Sequence, residues 1–213
     1  MDEKTDKNID KMDKTDNKMD KKPMVVAINS VSGGGKTAAA NALKVRLANS
    51  RVIYFDHYDD VGKNIPDIPK WIEDGEDYDL LHMESMVNDI KKFIKENETP
   101  GAEGIEYIIL DYPFGYRQKQ IADYIDLSVY IDTPLDIALA RRIIRDISVQ
   151  SKIDEVIGLL TGYLDARGAY CYSQSSSKNA DFTIDGSLPV DAVTDTIIQK
   201  IEEKRAADKI NGK

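Results

Sequence analysis

The chain has 213 residues, of which 41% are hydrophobic, so its length and composition suit one folded domain with room for an appendage. Its 38 acidic and 29 basic residues give a formal net charge of −9, which argues against nucleic acid or an anionic membrane surface as a partner. The single cysteine, Cys171, excludes a disulfide within the chain, and there is no apolar run of 18 residues and no signal peptide. We therefore expect a cytoplasmic protein.

Residues 1–22 differ in composition from the rest of the chain. They consist almost entirely of Asp, Lys, Asn, Thr and Met, and the tetrapeptide Lys-Met-Asp-Lys occurs at 11–14 and again at 18–21. Because such a segment buries almost no apolar surface, it cannot offset the entropy that it would lose on ordering. We predict a disordered charged tail over 1–22 and a folded domain over 23–213.

Beyond the tail, short apolar runs alternate with segments of helical pattern. The runs typical of buried strands are 24–28, 51–55, 106–110, 127–131 and 181–184. The segments that predict helices are 37–48, 83–95, 134–148, 153–163 and 189–205. Residues 57–80 show no clear period, and we expect a long functional loop or lid there. The alternation predicts an α/β fold, with a five-stranded, mainly parallel sheet covered by helices on both faces.

A glycine-rich segment joins the first predicted strand to the first predicted helix. Residues 30–37 have the sequence Ser-Val-Ser-Gly-Gly-Gly-Lys-Thr, which matches the phosphate-loop pattern G-x-x-x-x-G-K-S/T except that Ser30 replaces the first glycine. Glycines let backbone amides turn toward phosphate oxygens, and the N-terminus of the helix adds a positive partial charge. Lys36 would reach the β- and γ-phosphates, and the Thr37 hydroxyl would bind Mg²⁺. The predicted nucleotide-binding residues are Ser32, Gly33, Gly34, Gly35, Lys36, Thr37 and Ala38.

Two aspartates stand where predicted strands end. Asp56 follows the second strand and Asp111 follows the third. Phosphoryl transfer requires a carboxylate beside the metal ion and a group that orients the attacking hydroxyl and accepts its proton. We predict that Asp111 binds the metal through coordinated water and that Asp56 accepts the proton. For each aspartate the alternative is a strand-ending turn or a helix cap.

Three arginines lie on the helix predicted after the fourth strand. Arg141 and Arg145 are four residues apart and share one face, whereas Arg142 lies about 100° away. Guanidinium groups suit phosphate oxygens, and a lid that brings them onto the transferred phosphate would neutralise charge in the transition state. Judged by spacing alone, a solvated basic face paired with Asp136 or Asp146 is the better explanation.

Together these residues resemble the uridine kinase and phosphoribulokinase branch of P-loop kinases. The resemblance extends over about residues 24–204 and rests on the phosphate loop with the strand before it and on three further segments, 54–58, 141–146 and 179–186. It implies a P-loop NTPase fold, ATP as the phosphate donor, a hydroxyl group as the acceptor, and adenine near the last strand. It also implies catalytic roles for Lys36, Asp56, Arg141, Arg142 and Arg145.

The region expected to bind the acceptor departs from the uridine kinase pattern. Residues 74–79 form an acidic, aromatic segment comparable to the family's substrate segment, without a close match to the uridine kinase motif. Asp111-Tyr112 stands where the uridine kinases usually have Glu-Gly. The resemblance therefore implies a uridine-kinase-like protein. Its predicted acceptor-binding residues are Tyr58, Trp71, Tyr78, Tyr112 and Arg117, the aromatic ones because they can stack on a base or ring. For each of them, plain packing or surface exposure is the alternative.

The predicted function is the ATP- and Mg²⁺-dependent phosphorylation of a hydroxyl group on a small metabolite, with a nucleoside as the favoured acceptor. Two alternatives stay open. One is a regulatory nucleotide-binding switch or scaffold that hydrolyses its nucleotide slowly. The other is a kinase for a non-nucleoside acceptor, such as a cofactor precursor, an antibiotic or a cell-wall sugar.

Overall fold

The described part of the chain forms one five-stranded sheet. The computed structural model describes residues 22–59, 61, 63, 65, 67–97, 104–148, 150–165 and 179–211. The predicted tail lies outside these residues apart from Lys22, as does Cys171, so the tail stays a prediction. The strands are β1 (Met24–Asn29), β2 (Ser50–Tyr54), β3 (Tyr107–Asp111), β4 (Leu127–Asp132) and β5 (Phe182–Asp185).

All strand pairings of this sheet are parallel, and the strand order is β2-β3-β1-β4-β5. The strand β1 is central: Val26 pairs with Ile109 of β3 on one side and with Leu127 of β4 on the other. Each predicted strand is present to within one residue at either end. The predicted α/β P-loop NTPase fold is therefore confirmed.

The helices are α1 (Lys36–Arg46), α2 (Ile68–Glu73), α3 (Glu84–Asn97), α4 (Lys119–Ala122), α5 (Leu135–Asp146), α6 (Ile153–Asp165) and α7 (Val190–Ile210). Single 3₁₀ turns occur at Phe55–His57, Tyr78–Leu80 and Gly115–Arg117. No helix within the described ranges is both long and apolar enough to span a bilayer.

The prediction of a long functional loop or lid over 57–80 was wrong in part, because α2 and the turn Tyr78–Leu80 lie within it. The helix α4 was not predicted at all. Elements of three to six residues complete at most about one and a half helical turns, so they show no apolar period that a sequence pattern can detect.

Alternate residues of β1 point to opposite faces of the sheet, as the two-residue period of a strand requires. Val25 and Ala27 belong to the core on one face, and Val26 and Ile28 belong to the core on the other. The first core contains the buried residues of α3 and α4, which are Met86, Val87, Ile90 and Ile121. The second contains the buried apolar residues of α1 and α7, which are Ala39, Ala40, Leu43, Val193, Ile197 and Ile201. Helices therefore cover both faces, as predicted.

Ile109 provides a test of the second core, because its side chain is 0% exposed on the strand between β1 and β2. We expect Ile109→Ala to lower the free energy of unfolding by about 2–5 kcal/mol, since it removes buried methyl groups and leaves a cavity. Urea unfolding monitored by circular dichroism measures this change. Val45→Ala is the control, because Val45 is 85% exposed on α1 and its truncation should change stability by about 0.5 kcal/mol or less. Similar losses in the two variants would contradict this description of the core.

Candidate active site

The phosphate loop leaves the end of β1 and leads into α1, so it lies at the carboxyl edge of the sheet, where ligands of open α/β sheets bind. Gly33 and Gly35 have φ values of 80° and 102°, in the left-handed region that other residues rarely adopt. A Cβ atom added to Gly33 would lie 2.1 Å from the carbonyl oxygen of Ala138 in α5. The loop thus packs by its backbone against the first half of α5.

Two hydroxyl groups fasten the loop to the adjoining end of β4. Ser30, whose side chain is 0% exposed, donates to the carbonyl of Ile131 at 2.7 Å. Thr133, also buried, donates to the carbonyl of Gly34 at 2.8 Å. Ser30 thus replaces the first glycine of the pattern with a side chain that anchors the loop. The sequence analysis missed Thr133, although a polar residue directly after the strand beside β1 was a signal for it.

The predicted groups of the phosphate site lie together. The Thr37 hydroxyl donates to Oδ2 of Asp111 at 2.6 Å. The ammonium group of Lys36 donates to the carbonyls of Ser30 at 3.2 Å and Val31 at 3.3 Å. Asp56 is exposed on the turn after β2, close enough for its charge to act on both Lys36 and Asp111. The structure therefore places one cation and two carboxylates around the phosphate loop.

Burial shifts the pKa values of Lys36 and Asp111 in the directions that favour their neutral forms. Desolvation lowers the pKa of Lys36, against the opposing charges of Asp111 and Asp56. Desolvation likewise raises the pKa of Asp111, against the Thr37 hydrogen bond and the charge of Lys36. A multiply charged phosphate beside Lys36 would favour its charged form, so the loop is electrostatically prepared for an anion.

A hydroxyl and a carboxylate in contact are oxygen ligands of the kind that Mg²⁺ prefers, together with water and phosphate oxygens. Thr37 and Asp111 provide this pair. No group of three or more His, Cys, Asp or Glu side chains is arranged to hold a metal ion within the described ranges. The donor set thus fits an ion shared with a bound nucleotide and does not form an all-protein metal site.

The three arginines of α5 have different partners. Arg141 donates to the carbonyl of Gly186, just beyond β5, at 2.9 Å. Arg142 and Arg145 both bind Asp146, at 3.4 Å and 2.6 Å. The charge of Arg145 also lowers the pKa of Lys36, so this arginine lies within electrostatic range of the phosphate loop. The pairing with Asp146 matches the alternative that spacing favoured, and it leaves a role on phosphate as a prediction.

A chain of aromatic rings leads away from the turn that holds Asp56. The Phe55 ring lies 5.2 Å from that of Phe114, which lies 5.0 Å from that of Tyr78, which in turn lies 5.1 Å from that of Trp71. Arg117 joins this chain: it donates to the Tyr78 hydroxyl at 3.0 Å, and its guanidinium carbon lies 5.3 Å from the centre of the Tyr78 ring. Three of the predicted acceptor residues, Trp71, Tyr78 and Arg117, are therefore grouped.

The other two predicted acceptor residues have different settings. Tyr58 donates its hydroxyl to Asp89 of α3 at 2.6 Å and packs against the core. Tyr112 is 0% exposed, so it does not line an open pocket, which corrects our expectation. Its ring lies 5.4 Å from Phe114, beneath the aromatic chain. The sequence pattern alone does not distinguish a binding-site position from a core position for an aromatic residue directly after a strand. In the structure Tyr112 belongs to the core.

A separate cavity of about 460 Å³ lies at the carboxyl ends of β4 and β5. It is lined by Asp132, Pro134, Thr183 and Asp185. This is the end of the last strand, where the sequence resemblance implied the adenine. The sequence analysis assigned none of these four residues to the site, although two of them end strands and so had the signal that pointed to Asp111.

Comparison with known proteins identifies related kinases. A model of the phosphoribulokinase/uridine kinase family matches residues 81–185, which include Asp111 and the three arginines. Uridine kinase from Listeria welshimeri is 30% identical over 162 residues, covering 65% of this chain and 76% of the relative. Uridine kinase from Bacillus subtilis is 28% identical over 160 residues, covering 65% and 75%. Among solved structures, deoxyadenosine kinase from M. mycoides has a TM-score of 0.47 and 17% identity, over 84% of this chain and 100% of that chain.

Gly33 tests the packing of the phosphate loop. We expect Gly33→Ala to weaken ATP binding about tenfold or more, because the added methyl group meets the Ala138 carbonyl at a backbone angle that alanine disfavours. Titration calorimetry with ATP and Mg²⁺ measures the affinity. Gly158→Ala on α6 is the matched control: nothing lies within 4 Å of its added Cβ, so ATP affinity should be unchanged. Equal ATP affinities of Gly33→Ala and the unaltered protein would refute the close contact with α5.

Proposed function

The chain belongs to the phosphoribulokinase/uridine kinase family, and we propose that it transfers the γ-phosphate of ATP to a hydroxyl group of a nucleoside. Its fold and relatives make it a P-loop small-molecule kinase. The identity of the acceptor and the roles of individual residues are the content of the proposal.

One observation supports this proposal above the others. Lys36, the contacting pair Thr37 and Asp111, and the exposed carboxylate of Asp56 converge at the carboxyl edge of the sheet. These are the parts that phosphoryl transfer needs: a cation for the phosphates, ligands for a metal ion, and a base for the attacking hydroxyl. A site for nucleotide binding alone would need only the first two.

Each of these groups has its own role in the proposed reaction. The amides of the loop and the Lys36 ammonium group bind the β- and γ-phosphates. To do so, Lys36 gives up its hydrogen bonds to the carbonyls of Ser30 and Val31. The acceptor oxygen forms a bond to the γ-phosphorus while the bond from that phosphorus to the β–γ bridging oxygen breaks, and Asp56 takes the hydroxyl proton. Mg²⁺ held by Thr37 and Asp111 would neutralise part of the phosphate charge. Arg145 would add positive charge on the open side of the loop.

The grouped aromatic rings on the acceptor side support a nucleoside as the acceptor. The half-buried rings of Trp71, Tyr78 and Phe114 follow one another from the turn of Asp56, and such rings stack on planar bases. The cavity lined by Thr183 and Asp185 lies at β4 and β5, whereas the turn of Asp56 follows β2 at the opposite edge of the sheet, which suits a separate place for the adenine of ATP. Donor and acceptor would then approach the phosphate loop from opposite sides.

A panel of nucleosides and sugars, assayed for ADP formation with ATP and Mg²⁺, tests the proposal. We expect at least one nucleoside to stimulate ADP release and to be recovered as its monophosphate by mass spectrometry. Slow ATP hydrolysis that no acceptor stimulates would contradict the proposal and favour a nucleotide-dependent switch. Turnover with sugars alone would leave a kinase of a different acceptor class.

Two variants test the roles of the charged residues. We expect Lys36→Ala to lower kcat/KM about a hundredfold or more, because it removes the cation of the loop. Asp56→Asn should lower kcat about a hundredfold or more with little change in the KM for ATP, because it removes the base and leaves the nucleotide site intact. Lys44→Ala, an exposed lysine on α1, is the control and should retain full activity. An active Asp56→Asn enzyme would exclude Asp56 as the base.

A further inference from the structure

Thr133 is a buried polar residue that touches the phosphate loop from outside it. It lies directly after β4, is 1% exposed, and donates its hydroxyl to the Gly34 carbonyl at 2.8 Å. Removing such a hydroxyl leaves a buried acceptor unpaired, which lowers stability. The place of the Gly34 carbonyl in the loop gives the same bond a second effect, on the direction of the next backbone N–H.

The peptide unit between Gly34 and Gly35 is bound to the rest of the protein through its carbonyl. In a planar trans peptide the carbonyl and the N–H point in opposite directions. Because the Gly34 carbonyl points to Thr133, the Gly35 N–H points away from Thr133 and from the end of β4. This N–H has no hydrogen-bond partner among the residues that the structure describes. Thr133 thus fixes the direction of an available backbone donor in the phosphate loop.

The backbone on either side of this peptide unit is anchored separately. The Gly34 N–H donates to the Val31 carbonyl at 2.9 Å, which closes a turn within the loop. The Gly35 carbonyl accepts from the Ala39 N–H at 3.0 Å, at the start of α1. Since glycine on both sides permits many backbone angles, the peptide unit between these anchors could rotate without the Thr133 bond. The threonine hydroxyl is therefore the contact that selects one orientation.

Gly186, on the turn after β5, keeps the Thr133 hydroxyl in place. A Cβ atom added to Gly186 would overlap the Thr133 Oγ1 and would lie 2.8 Å from Cγ2 of Ile131. The Gly186 N–H also donates to the Asp132 carbonyl at 2.8 Å, which holds the turn against the end of β4. The φ of Gly186 is not positive, so alanine there would add a steric clash and no left-handed strain. Such a clash should displace the hydroxyl from the Gly34 carbonyl.

We propose that Thr133 is a positioning residue that aims the Gly35 N–H at the phosphates of the bound nucleotide. A backbone donor that already points toward the anion needs no ordering when the anion binds, and its hydrogen bond to the anion is charge-assisted. This inference rests on the proposed kinase function for its phosphate site, and it does not depend on the acceptor. It assigns part of the phosphate affinity to a residue outside the loop.

The test uses inorganic tripolyphosphate and ATP, each with Mg²⁺, as probes of the phosphate loop. Thr133→Val retains the shape of the side chain and removes the hydroxyl, and we expect it to weaken the binding of both probes about tenfold by titration calorimetry. In the unaltered protein the amide proton resonance of Gly35 should move downfield when tripolyphosphate binds, and in Thr133→Val it should not. Thr133→Ser retains a hydroxyl and should restore both the affinity and the resonance shift.

Thr194→Val is the matched control. Thr194 is also buried, at 0% exposure, and donates to a backbone carbonyl, that of Val190 at 2.7 Å within α7. Its variant loses a comparable hydrogen bond outside the phosphate loop, so both affinities and the Gly35 resonance shift should match those of the unaltered protein.

Gly186→Ala is a second test that leaves Thr133 itself unchanged. We expect it to reproduce the loss seen in Thr133→Val, because the added methyl group displaces the hydroxyl. It also decides the question if Thr133→Val does not fold.

A Gly35 resonance shift that survives in Thr133→Val or in Gly186→Ala would overturn the inference, and so would unchanged affinities in these variants. Phosphate binding without transfer to any acceptor would overturn the proposed function alone. If the unaltered protein bound neither ATP nor tripolyphosphate, the proposed function and this inference would both be overturned.

Discussion

The close backbone contact between the phosphate loop and the β4–α5 connection is the constraint on which the site depends. Gly33 leaves no room for a side chain against the Ala138 carbonyl, and the hydroxyls of Ser30 and Thr133 join the loop to β4 from both of its ends. Anion binding by a loop requires amides that already point inward before the ligand arrives, because ordering them afterwards would lower the affinity. These three contacts supply that order.

The same constraint explains how the site tolerates buried charge. Loss of solvation lowers the pKa of Lys36 and raises that of Asp111, yet each of the two side chains has a hydrogen-bond partner. Lys36 is held by two loop carbonyls and Asp111 by the Thr37 hydroxyl. Each of these contacts is one that a phosphate or a metal ion could replace, so binding would exchange one interaction of Lys36 or Asp111 for another. The resting arrangement thus keeps the charges stable and close to the positions that they need.

Much of the fold followed from local pattern. The strands were predictable because each is a short apolar run, and the phosphate loop was predictable because its chemistry fixes residue types at fixed spacing. Asp56 and Asp111 followed from their places at strand ends. Thr133 has a similar place directly after a strand, but its role lies in a contact with the Gly34 carbonyl that only the folded chain creates.

Tyr112 shows the converse limit of sequence reasoning. It was predicted as an acceptor-binding residue because its ring can stack on a base, with plain packing as the alternative. In the structure its backbone N–H donates to the Ile28 carbonyl, and its ring turns inward beneath Phe114. Which way a residue turns as it leaves a strand depends on the packing of its neighbours, and neither composition nor periodicity records that. Tyr78, from a segment distant in sequence, is instead half-buried and packs against Phe114.

The two halves of α5, the helix that carries the three arginines, are held by different contacts. Its first half is fixed, through Ala138 against the phosphate loop and through Arg141 to the Gly186 carbonyl. Its second half has Arg142 and Arg145 paired with Asp146 at the surface, where such pairs contribute only about 0.2–1 kcal/mol. The hydrogen bond from Arg145 lowers the pKa of Asp146, so the carboxylate stays charged beside the guanidinium groups that we proposed for phosphate. Under the proposed function, the negative charges of a nucleotide would attract these guanidinium groups without moving the half of the helix that shapes the loop. A fixed first half and an exchangeable second half are what a helix needs if it is both to support a phosphate site and to close over it.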